Sequence, residues 1–405
     1  MTAHGDCDPR FARVREVFEK HFAEGKELGA AFAVFLDGEP VVDLWDGVAD
    51  RHTERPWERD TPVLAYSCTK ALTATALLLQ AERGLVDLTG PVAEVWPEFA
   101  VNGKDKITIE HLLTHQSGLP AMEEEVPVEE FEDMPTIAAR IAGQSPIWEP
   151  GTAHGYHAIT YGFLIGEVIR RVTGKSVGEV VAAEIAGPRK LELWLGAPDD
   201  VAARAARLSA GDRSGVSGGS GGGGSAGLRT VTEFPGQGPG DPLYEMSKAM
   251  GDPGSLMNRA LGNPNPNKLK GGANHPVILR AGWPAMGMVA TARGLAGFYR
   301  DLLAGDILKP ETLEDATRRR VGGPDRVLFL DSAFGLGYMR PSLTFLTPGK
   351  GNERAFGHTG LGGSLGLGDP GHGLAMGYTM NKLARALTGS LRAYHLAEAV
   401  YDSLD

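Results

Sequence analysis

The sequence predicts an α+β fold in which strands from both ends of the chain share one antiparallel sheet, helices flank that sheet, and a mostly helical subdomain is inserted. Two observations lead to this prediction. Short apolar stretches bounded by turn residues occur near both termini: 30–36, 40–45, 334–339, 355–358, 364–367 and 374–381. Between them, the chain has the apolar spacing of helices from residue 67 to about 181. A ligand pocket is expected between the two layers.

The first element is predicted to be a helix, because Asp8 and Pro9 form a typical helix start. Apolar residues recur through it at helical spacing: Phe11, Val14, Phe18 and Phe22. A β-hairpin follows, since Asp37 and Gly38 separate two apolar stretches. Past the central helices, another helix is predicted to begin near Thr291, and a last one to run to the C-terminus.

The chain divides into three predicted parts. Residues 1–66 and 281–405 contain the strands of the sheet subdomain, and residues 67–198 form the helical subdomain. Residues 199–280 are expected to be a flexible insertion near the pocket, because the tract 213–227 is mostly glycine and serine. Since long loops in compact enzymes are usually functional or disordered, a mobile segment beside the pocket is favoured over an inert surface insertion or an engineered linker.

The composition indicates a globular enzyme and excludes several other classes. A net charge of −11 argues against nucleic acid and anionic membranes as partners. No stretch approaches the roughly 20 apolar residues of a membrane span, and the first residues lack the features of a secretory leader, so we expect a cytoplasmic protein. The two cysteines, Cys7 and Cys68, do not form a disulfide framework.

Ser67 and Lys70 are the residues most indicative of chemistry, because they lie three apart where a helix is predicted to begin. That spacing places both side chains on one helix face, one turn apart. A serine hydroxyl is a poor nucleophile until a base removes its proton, and a lysine can do so only when burial or nearby positive charge lowers its pKa. The pair alone is a weak pattern, so the interpretation depends on the motifs that follow.

Three further motifs follow in order along the chain: His111-Leu112-Leu113-Thr114-His115-Gln116-Ser117-Gly118-Leu119, then Tyr156 after Pro150-Gly151-Thr152, then His358-Thr359-Gly360. In these motifs the chain resembles the serine β-lactamase and penicillin-binding-protein superfamily, for which S-x-x-K and K-T-G are signatures. It is most similar to the class C-like branch that includes the family VIII carboxylesterases. The resemblance covers most of the chain apart from the middle insertion and implies a β-lactamase-like fold.

The resemblance also implies a serine hydrolase that forms an acyl-enzyme on Ser67, with Lys70 and Tyr156 as the other catalytic residues. Either a neutral Lys70 or a Tyr156 phenolate would serve as the base. The backbone N–H groups of Ser67 and Leu361 would form the oxyanion hole.

Three more residues are expected at the site. Gly360 would let its strand approach the substrate closely. His358 would complete the hydrogen-bond network around Tyr156 or the substrate. His157 is a candidate for lining the pocket, and a plain polar role in its loop is the alternative.

Two departures from the β-lactamase pattern bear on the substrate. Ala158 stands where the β-lactamases usually have asparagine, and His358 stands where they have lysine. Because histidine is largely neutral at pH 7, a fixed cation for a substrate carboxylate is missing. These departures favour cleavage of short-chain or aromatic carboxylic esters, with acyl transfer as a variant. The alternatives are a β-lactamase or a D-amino-acid peptidase or amidase with the same residues, and a catalytically silent binding module.

Neither a metal nor an organic cofactor is expected, and the predicted partner is a small-molecule ester or amide. His111 and His115 have the spacing of a zinc pair, but the glutamate of H-E-x-x-H is missing between them. Ser217, Ser225 and Ser364 each lie in a G-x-S-x-G sequence. They are not expected to be nucleophiles, because none follows a strand and precedes a helix.

Overall fold

An antiparallel sheet shared by both ends of the chain organises the fold. The computed structural model describes residues 2–210, 238–351, 353–384 and 386–404. The glycine- and serine-rich tract 213–227, for which we predicted flexibility, lies outside the described residues. The described strands are β1 (His4–Cys7), β2 (Gly29–Leu36), β3 (Glu39–Asp50), β4 (Arg55–Pro56), β5 (Val63–Leu64), β6 (Leu193–Leu195), β7 (Ser209–Ala210), β8 (Met288–Ala290), β9 (Val321–Pro324), β10 (Asp331–Phe334), β11 (Phe356–Thr359), β12 (Leu365–Asp369), β13 (Leu374–Met380) and β14 (Lys382–Leu383).

Helices are distributed between the sheet layer and the inserted part. The described α-helices are α1 (Ala12–Ala23), α2 (Thr69–Glu82), α3 (Ile109–Leu113), α4 (Met134–Ala142), α5 (Thr160–Thr173), α6 (Val177–Val180), α7 (Gly187–Arg189), α8 (Asp199–Arg204), α9 (Pro242–Gly251), α10 (Leu256–Gly262), α11 (Pro276–Ala281), α12 (Ala292–Leu303), α13 (Pro310–Thr317) and α14 (Leu391–Asp402). A π-helical turn, Val181–Ala186, joins α6 to α7. None of these helices has both the length and the apolar character that a bilayer crossing requires.

The main sheet has the strand order β1-β3-β2-β13-β12-β11, with β4 paired to β3. The N-terminal and C-terminal strands meet where β2 pairs antiparallel with β13, with Ala33 opposite Gly377. Both strands are buried along almost their whole length. The predicted α+β fold, with one antiparallel sheet built from both ends of the chain, is confirmed.

Helix α12 packs against β2, β12 and β13. Gly377 makes this approach possible, because a Cβ at that position would stand 2.3 Å from the carbonyl oxygen of Ala292. Helices α1 and α14 pack against each other, which brings the two ends of the chain together.

The inserted part is held beside the edge of the sheet. Helix α2 is buried on nearly all sides, packs against α5, and also contacts the edge strand β11. A second small sheet, in the order β5-β8-β6, ties the chain just before α2 to the chain just before α12. The start of α2 is therefore fixed at the boundary between helices and sheet.

The described part of the 199–280 insertion contains regular helices. Helices α9 and α10 form there because both have side-chain N-caps. Asp241 accepts a hydrogen bond from the backbone N–H of Leu243 at 2.8 Å, and Ser255 accepts one from Asn258 at 3.1 Å. Both helices also present apolar residues to one side, which the sequence analysis overlooked.

A buried ion pair links α14 to the strand layer. Arg392 on α14 lies 2.6 Å from the carboxylate of Glu27, with the two side chains only 8% and 0% exposed. The guanidinium also donates to the carbonyl oxygens of Lys382 at 2.7 Å and Gly362 at 3.1 Å. Arg392 therefore joins the last helix to the loop that follows β11.

Replacement of Glu27 by alanine is expected to destabilise the protein by about 3–5 kcal/mol, because Arg392 would stay buried without its carboxylate. The control is Asp402→Ala, which removes a pair with Arg13 whose side chains are 40% and 60% exposed. The control should cost under about 1 kcal/mol. Urea unfolding measures both free energies, and equal losses would contradict the importance of the buried pair.

Candidate active site

A short strained turn presents Ser67. Strand β5 pairs with β8, and the N–H of Ala65 continues the contact by donating to the carbonyl of Met288 at 2.8 Å. Tyr66 then adopts φ +46°, a left-handed conformation that costs a bulky residue free energy and so occurs only where its surroundings enforce it. Ser67 follows in the turn, and α2 begins two residues later at Thr69.

Lys70 is fully buried beneath this turn. Its Nζ lies 3.1 Å from Ser67 Oγ, 2.8 Å from the carbonyl oxygen of Ala158 and 3.0 Å from that of Ala285. Burial lowers the pKa of Lys70 well below its ordinary value, because a desolvated ammonium is disfavoured. The sequence-predicted pair therefore stands in hydrogen-bond contact, with the lysine biased toward its neutral form.

Tyr156 lies close to the same side-chain nitrogen. Its ring centroid is 4.7 Å from Lys70 Nζ, and its side chain is buried. Burial raises the pKa of the Tyr156 phenol, and a hydrogen bond with Ser67 offsets only part of that rise. Ser67, Lys70 and Tyr156 are thus brought together, with the phenol neutral at physiological pH.

His358 lies on the edge strand β11, with its ring centroid 6.2 Å from that of Tyr156. Its Nδ1 donates to the carbonyl of Thr359 at 2.7 Å, so this nitrogen carries the proton. Its buried Nε2 has no hydrogen-bond partner among the described residues. Burial lowers the pKa of His358 to about 3, so the ring is neutral at pH 7.

Gly360 lets its own segment lie close to the segment just before Ser67. A Cβ there would stand 2.0 Å from Ser364 Oγ and 2.4 Å from the carbonyl oxygen of Ala65. Ser364 Oγ donates to the same Ala65 carbonyl at 2.9 Å. The turn that starts at Gly360 is therefore clamped against the segment just before Ser67.

Leu361 lies in this turn, which is closed by a hydrogen bond from the N–H of Gly363 to the carbonyl of Gly360 at 3.1 Å. In the part of the chain that the structure describes, the backbone N–H groups of Leu361 and Ser67 donate to no other group. Two unengaged N–H groups thus belong to two turns held against each other.

The sequence matches the profile of the beta-lactamase family over residues 14–401. The chain belongs to the beta-lactamase family. It is accordingly a hydrolase of the serine beta-lactamase type. The resemblance to this superfamily that the sequence motifs indicated is confirmed.

Individual relatives of this beta-lactamase-family enzyme include esterases. Esterase/beta-lactamase LipL of Mycobacterium tuberculosis is 34% identical over 419 residues, which cover 97% of this chain and 87% of LipL. Among solved structures, a family VIII carboxylesterase superposes with a TM-score of 0.84 at 32% identity over all of both chains. A penicillin-binding protein homologue from Caulobacter crescentus superposes with a TM-score of 0.83 at 35% identity, again over all of both chains.

Asp325 is a residue of this site that the sequence analysis missed. Its Oδ1 accepts the backbone N–H of Tyr156 at 3.0 Å and those of Val327 and Leu328 at 2.9 Å. Its Oδ2 accepts the hydroxyl of Ser332 at 2.8 Å. A single aspartate after a proline has the sequence signal of an ordinary turn, so nothing local indicates that it anchors a tyrosine 169 positions earlier.

His157 is buried and both of its ring nitrogens are occupied. Nδ1 donates to the carbonyl of Gly155 at 2.7 Å, and Nε2 accepts the N–H of Leu119 at 3.1 Å. Burial lowers the pKa of His157 to about 3. We infer that this ring connects the Tyr156 loop to the loop after α3, rather than offering a polar group to a ligand.

The two histidines with zinc-like spacing have separate roles. His111 caps the start of α3 through a contact between its Nδ1 and the N–H of Thr108. His115 lies beyond the helix, has φ +60°, and accepts the N–H of His157 at 3.0 Å. Within the described ranges, no three His, Cys, Asp or Glu side chains come together as a metal site.

Cys68 packs beneath the turn that carries Ser67. Its Sγ is buried 3.3 Å from the carbonyl oxygen of His358 and 3.6 Å from Ser364 Oγ. Burial raises the pKa of this thiol to about 12, so it stays protonated. The cysteine therefore joins α2 to β11 and is not a reactive thiolate.

A cavity of about 790 Å³ lies outside the group formed by Ser67, Lys70 and Tyr156, and α5 and β6 are among its walls. Phe163, Trp194 and Pro284 line it, whereas Ser67, Lys70 and Tyr156 do not. Since Ala285 binds Lys70 and the adjacent Pro284 lines the cavity, one chain segment contacts both regions.

Gly360→Ala is expected to lower kcat by at least about 10², the usual loss for one oxyanion donor, because the added Cβ would displace the Leu361 turn. Gly143→Ala is the matched control, since the nearest atom to its Cβ would be 3.5 Å away. Steady-state kinetics with an activated ester measure both variants. Unchanged kcat in Gly360→Ala would contradict the role of this close approach.

Proposed function

We propose that this enzyme hydrolyses carboxylic esters with short-chain or aromatic groups through an acyl-enzyme on Ser67. The observation that carries the proposal is the position of Lys70 Nζ, buried 3.1 Å from Ser67 Oγ. The relatives named as esterases support esters as the substrate class. The proposed reaction uses only groups of the protein itself.

The three hydrogen-bond partners of Lys70 favour it as the base. A neutral amine has two N–H donors and one lone pair, and the carbonyls of Ala158 and Ala285 take the two donors. The lone pair is left for the third neighbour, the hydroxyl of Ser67. Lys70 would therefore accept the Ser67 proton as Oγ attacks the ester carbonyl carbon.

Tyr156 would then deliver a proton to the leaving group. Its raised pKa argues against a phenolate base and suits a neutral phenol that donates. The proton taken by Lys70 passes through Tyr156 to the departing alcohol oxygen as the tetrahedral intermediate collapses. Water attacks the acyl-enzyme by the reverse path, releasing the acid and restoring the Ser67 hydroxyl.

The N–H groups of Ser67 and Leu361 would stabilise the oxyanion of both tetrahedral intermediates. Their lack of other acceptors in the described structure supports this role. The Nε2 of His358, which has no partner among the described residues, would accept a hydrogen bond from Tyr156 or from the substrate.

Hydrolysis of β-lactams is the second candidate activity, because LipL is named both an esterase and a beta-lactamase. Two observations make it the weaker one. His358 is neutral, so it supplies no fixed cation for a carboxylate. Ala158 supplies no side-chain amide. We therefore expect uncharged esters to be better substrates than cephalosporins.

Ser67→Ala is expected to leave only background hydrolysis of p-nitrophenyl butyrate, because the attacking oxygen is lost. A fluorophosphonate should add once to the wild-type protein and not to this variant, as measured by intact mass. Ser364→Ala is the control that keeps the labelling. An adduct that persists in Ser67→Ala would place the nucleophile elsewhere.

Lys70→Arg and Tyr156→Phe should each lower kcat/KM by about 10²–10⁴, and the double variant should lose little more because both act on one proton path. In the wild type, kcat/KM should rise with pH through a limb well below pH 10.5, since the base works when deprotonated and burial lowers its pKa. The limb should remain in Tyr156→Phe. Its disappearance there would identify a phenolate base instead.

A further inference from the structure

The side chain of Arg392 holds a positive charge inside the protein, and each of its two terminal nitrogens donates twice. One nitrogen donates to the carboxylate of Glu27 at 2.6 Å and to the carbonyl of Lys26 at 2.8 Å. The other donates to the carbonyl of Lys382 at 2.7 Å and to that of Gly362 at 3.1 Å. A permanent cation therefore stands at the carbonyl oxygen of Gly362.

A chain of hydrogen bonds continues from Gly362 to Leu361. The peptide unit that contains the Gly362 carbonyl also contains the N–H of Gly363, which donates to the carbonyl of Gly360 at 3.1 Å. The peptide unit of the Gly360 carbonyl in turn contains the N–H of Leu361. Two trans peptide units thus connect the guanidinium to an N–H group that has no acceptor in the described structure.

Each bond in this chain strengthens the next one. A cation at a carbonyl oxygen draws electron density away from the N–H at the opposite side of the same peptide unit, which becomes a better donor. The effect is repeated at the second unit, because hydrogen bonds in a chain polarise one another. The N–H of Leu361 is therefore expected to be a stronger donor than it would be without the buried charge.

Stability alone does not account for a buried charge at this place. An ion pair withdrawn from water stabilises a fold little more than apolar residues of similar size would, because desolvation offsets the attraction. Arg392 and Glu27 are both buried, and Glu27 also accepts the hydroxyl of Tyr378. The main-chain contacts of the guanidinium therefore indicate a role for this charge beyond the pair itself.

We propose that Arg392 is a positioning residue of the reaction, which orients and polarises the N–H of Leu361 through the two peptide units between them. This inference rests on the proposed ester hydrolysis and its oxyanion hole, and it adds a residue that acts through the main chain alone. When Ser67 Oγ bonds to the ester carbonyl carbon, the π electron pair moves to the carbonyl oxygen. The negative charge formed there would meet the strengthened donor.

The test compares Arg392→Met with the double variant Glu27→Gln/Arg392→Met, in which this pair leaves no buried charge without a partner. In both, kcat/KM for p-nitrophenyl butyrate should fall about tenfold, which is part of the roughly 10²–10³ that a whole oxyanion donor is worth. Arg392→Lys should lose less, because it keeps the charge. Urea unfolding should show that the double variant is more stable than Arg392→Met although its activity is no higher.

Inhibition by phenylboronic acid gives a second measurement, because this acid binds as a tetrahedral anion. Its boron would bond to Ser67 Oγ, the serine proton would pass to Lys70, and one boron hydroxyl would take the place of the oxyanion. The inhibition constant should rise by the same factor by which kcat/KM falls. A purely structural loss would not have this effect, because an unfolded fraction lowers the measured rate and leaves the inhibition constant of the folded enzyme unchanged.

Arg15→Met is the matched control, because the guanidinium of Arg15 also donates to two main-chain carbonyls, those of Ala3 at 2.7 Å and Gly5 at 2.8 Å. Gly5 belongs to β1, which lies at the opposite end of the main sheet from β11. Its kcat/KM and its inhibition constant should equal those of the wild type.

An unchanged inhibition constant in Arg392→Met and in the double variant would overturn the proposal and leave the ester hydrolase intact. Recovery of full activity in the double variant would also overturn it, because the loss would then come from the unpaired carboxylate. A change of the same size in Arg15→Met would have the same meaning. If the wild type did not hydrolyse p-nitrophenyl butyrate, the proposed ester hydrolysis itself would be refuted.

Discussion

The burial of Lys70 between two main-chain carbonyl groups is the constraint on which the rest of the site depends. Removing a lysine from water is costly unless it loses its charge or gains partners. Here the carbonyls of Ala158 and Ala285 take two hydrogen bonds, and Ser67 takes the remaining position. Three chain segments from distant parts of the sequence must converge on one nitrogen, and the fold is arranged to bring them there.

Most of the polar side chains around the site act on the backbone. Ser364 holds the carbonyl of Ala65, Asp325 holds the N–H of Tyr156, and Arg392 holds the carbonyl of Gly362. Each bond joins segments that are separated in sequence. Hydrogen bonds between distant segments therefore hold Tyr156 and the turns that carry Ser67 and Leu361 in place.

The features that were predicted from the sequence depend on residues close together in the chain, whereas the role of Asp325 depends on residues far apart. The sheet and the Ser67–Lys70 pair followed from local patterns, because turn residues, apolar spacing and an i,i+3 relation are visible within a few residues. Asp325 was missed because its significance comes from a contact with Tyr156, far along the chain. The N-caps of helices α9 and α10 are local features that the sequence analysis overlooked. Gly360 was recognised as a site of close approach, but the structure shows the chain before Ser67 as its neighbour.

The way Lys70 is held also bears on how this enzyme can change over generations. The atom of residue 158 that binds Lys70 is a main-chain carbonyl oxygen, which every amino acid provides. A new side chain at 158 would therefore leave the hydrogen bond between this carbonyl oxygen and Lys70 available. Inheritance can thus vary the side chain at this position while the main-chain contact that holds the lysine is passed on unchanged.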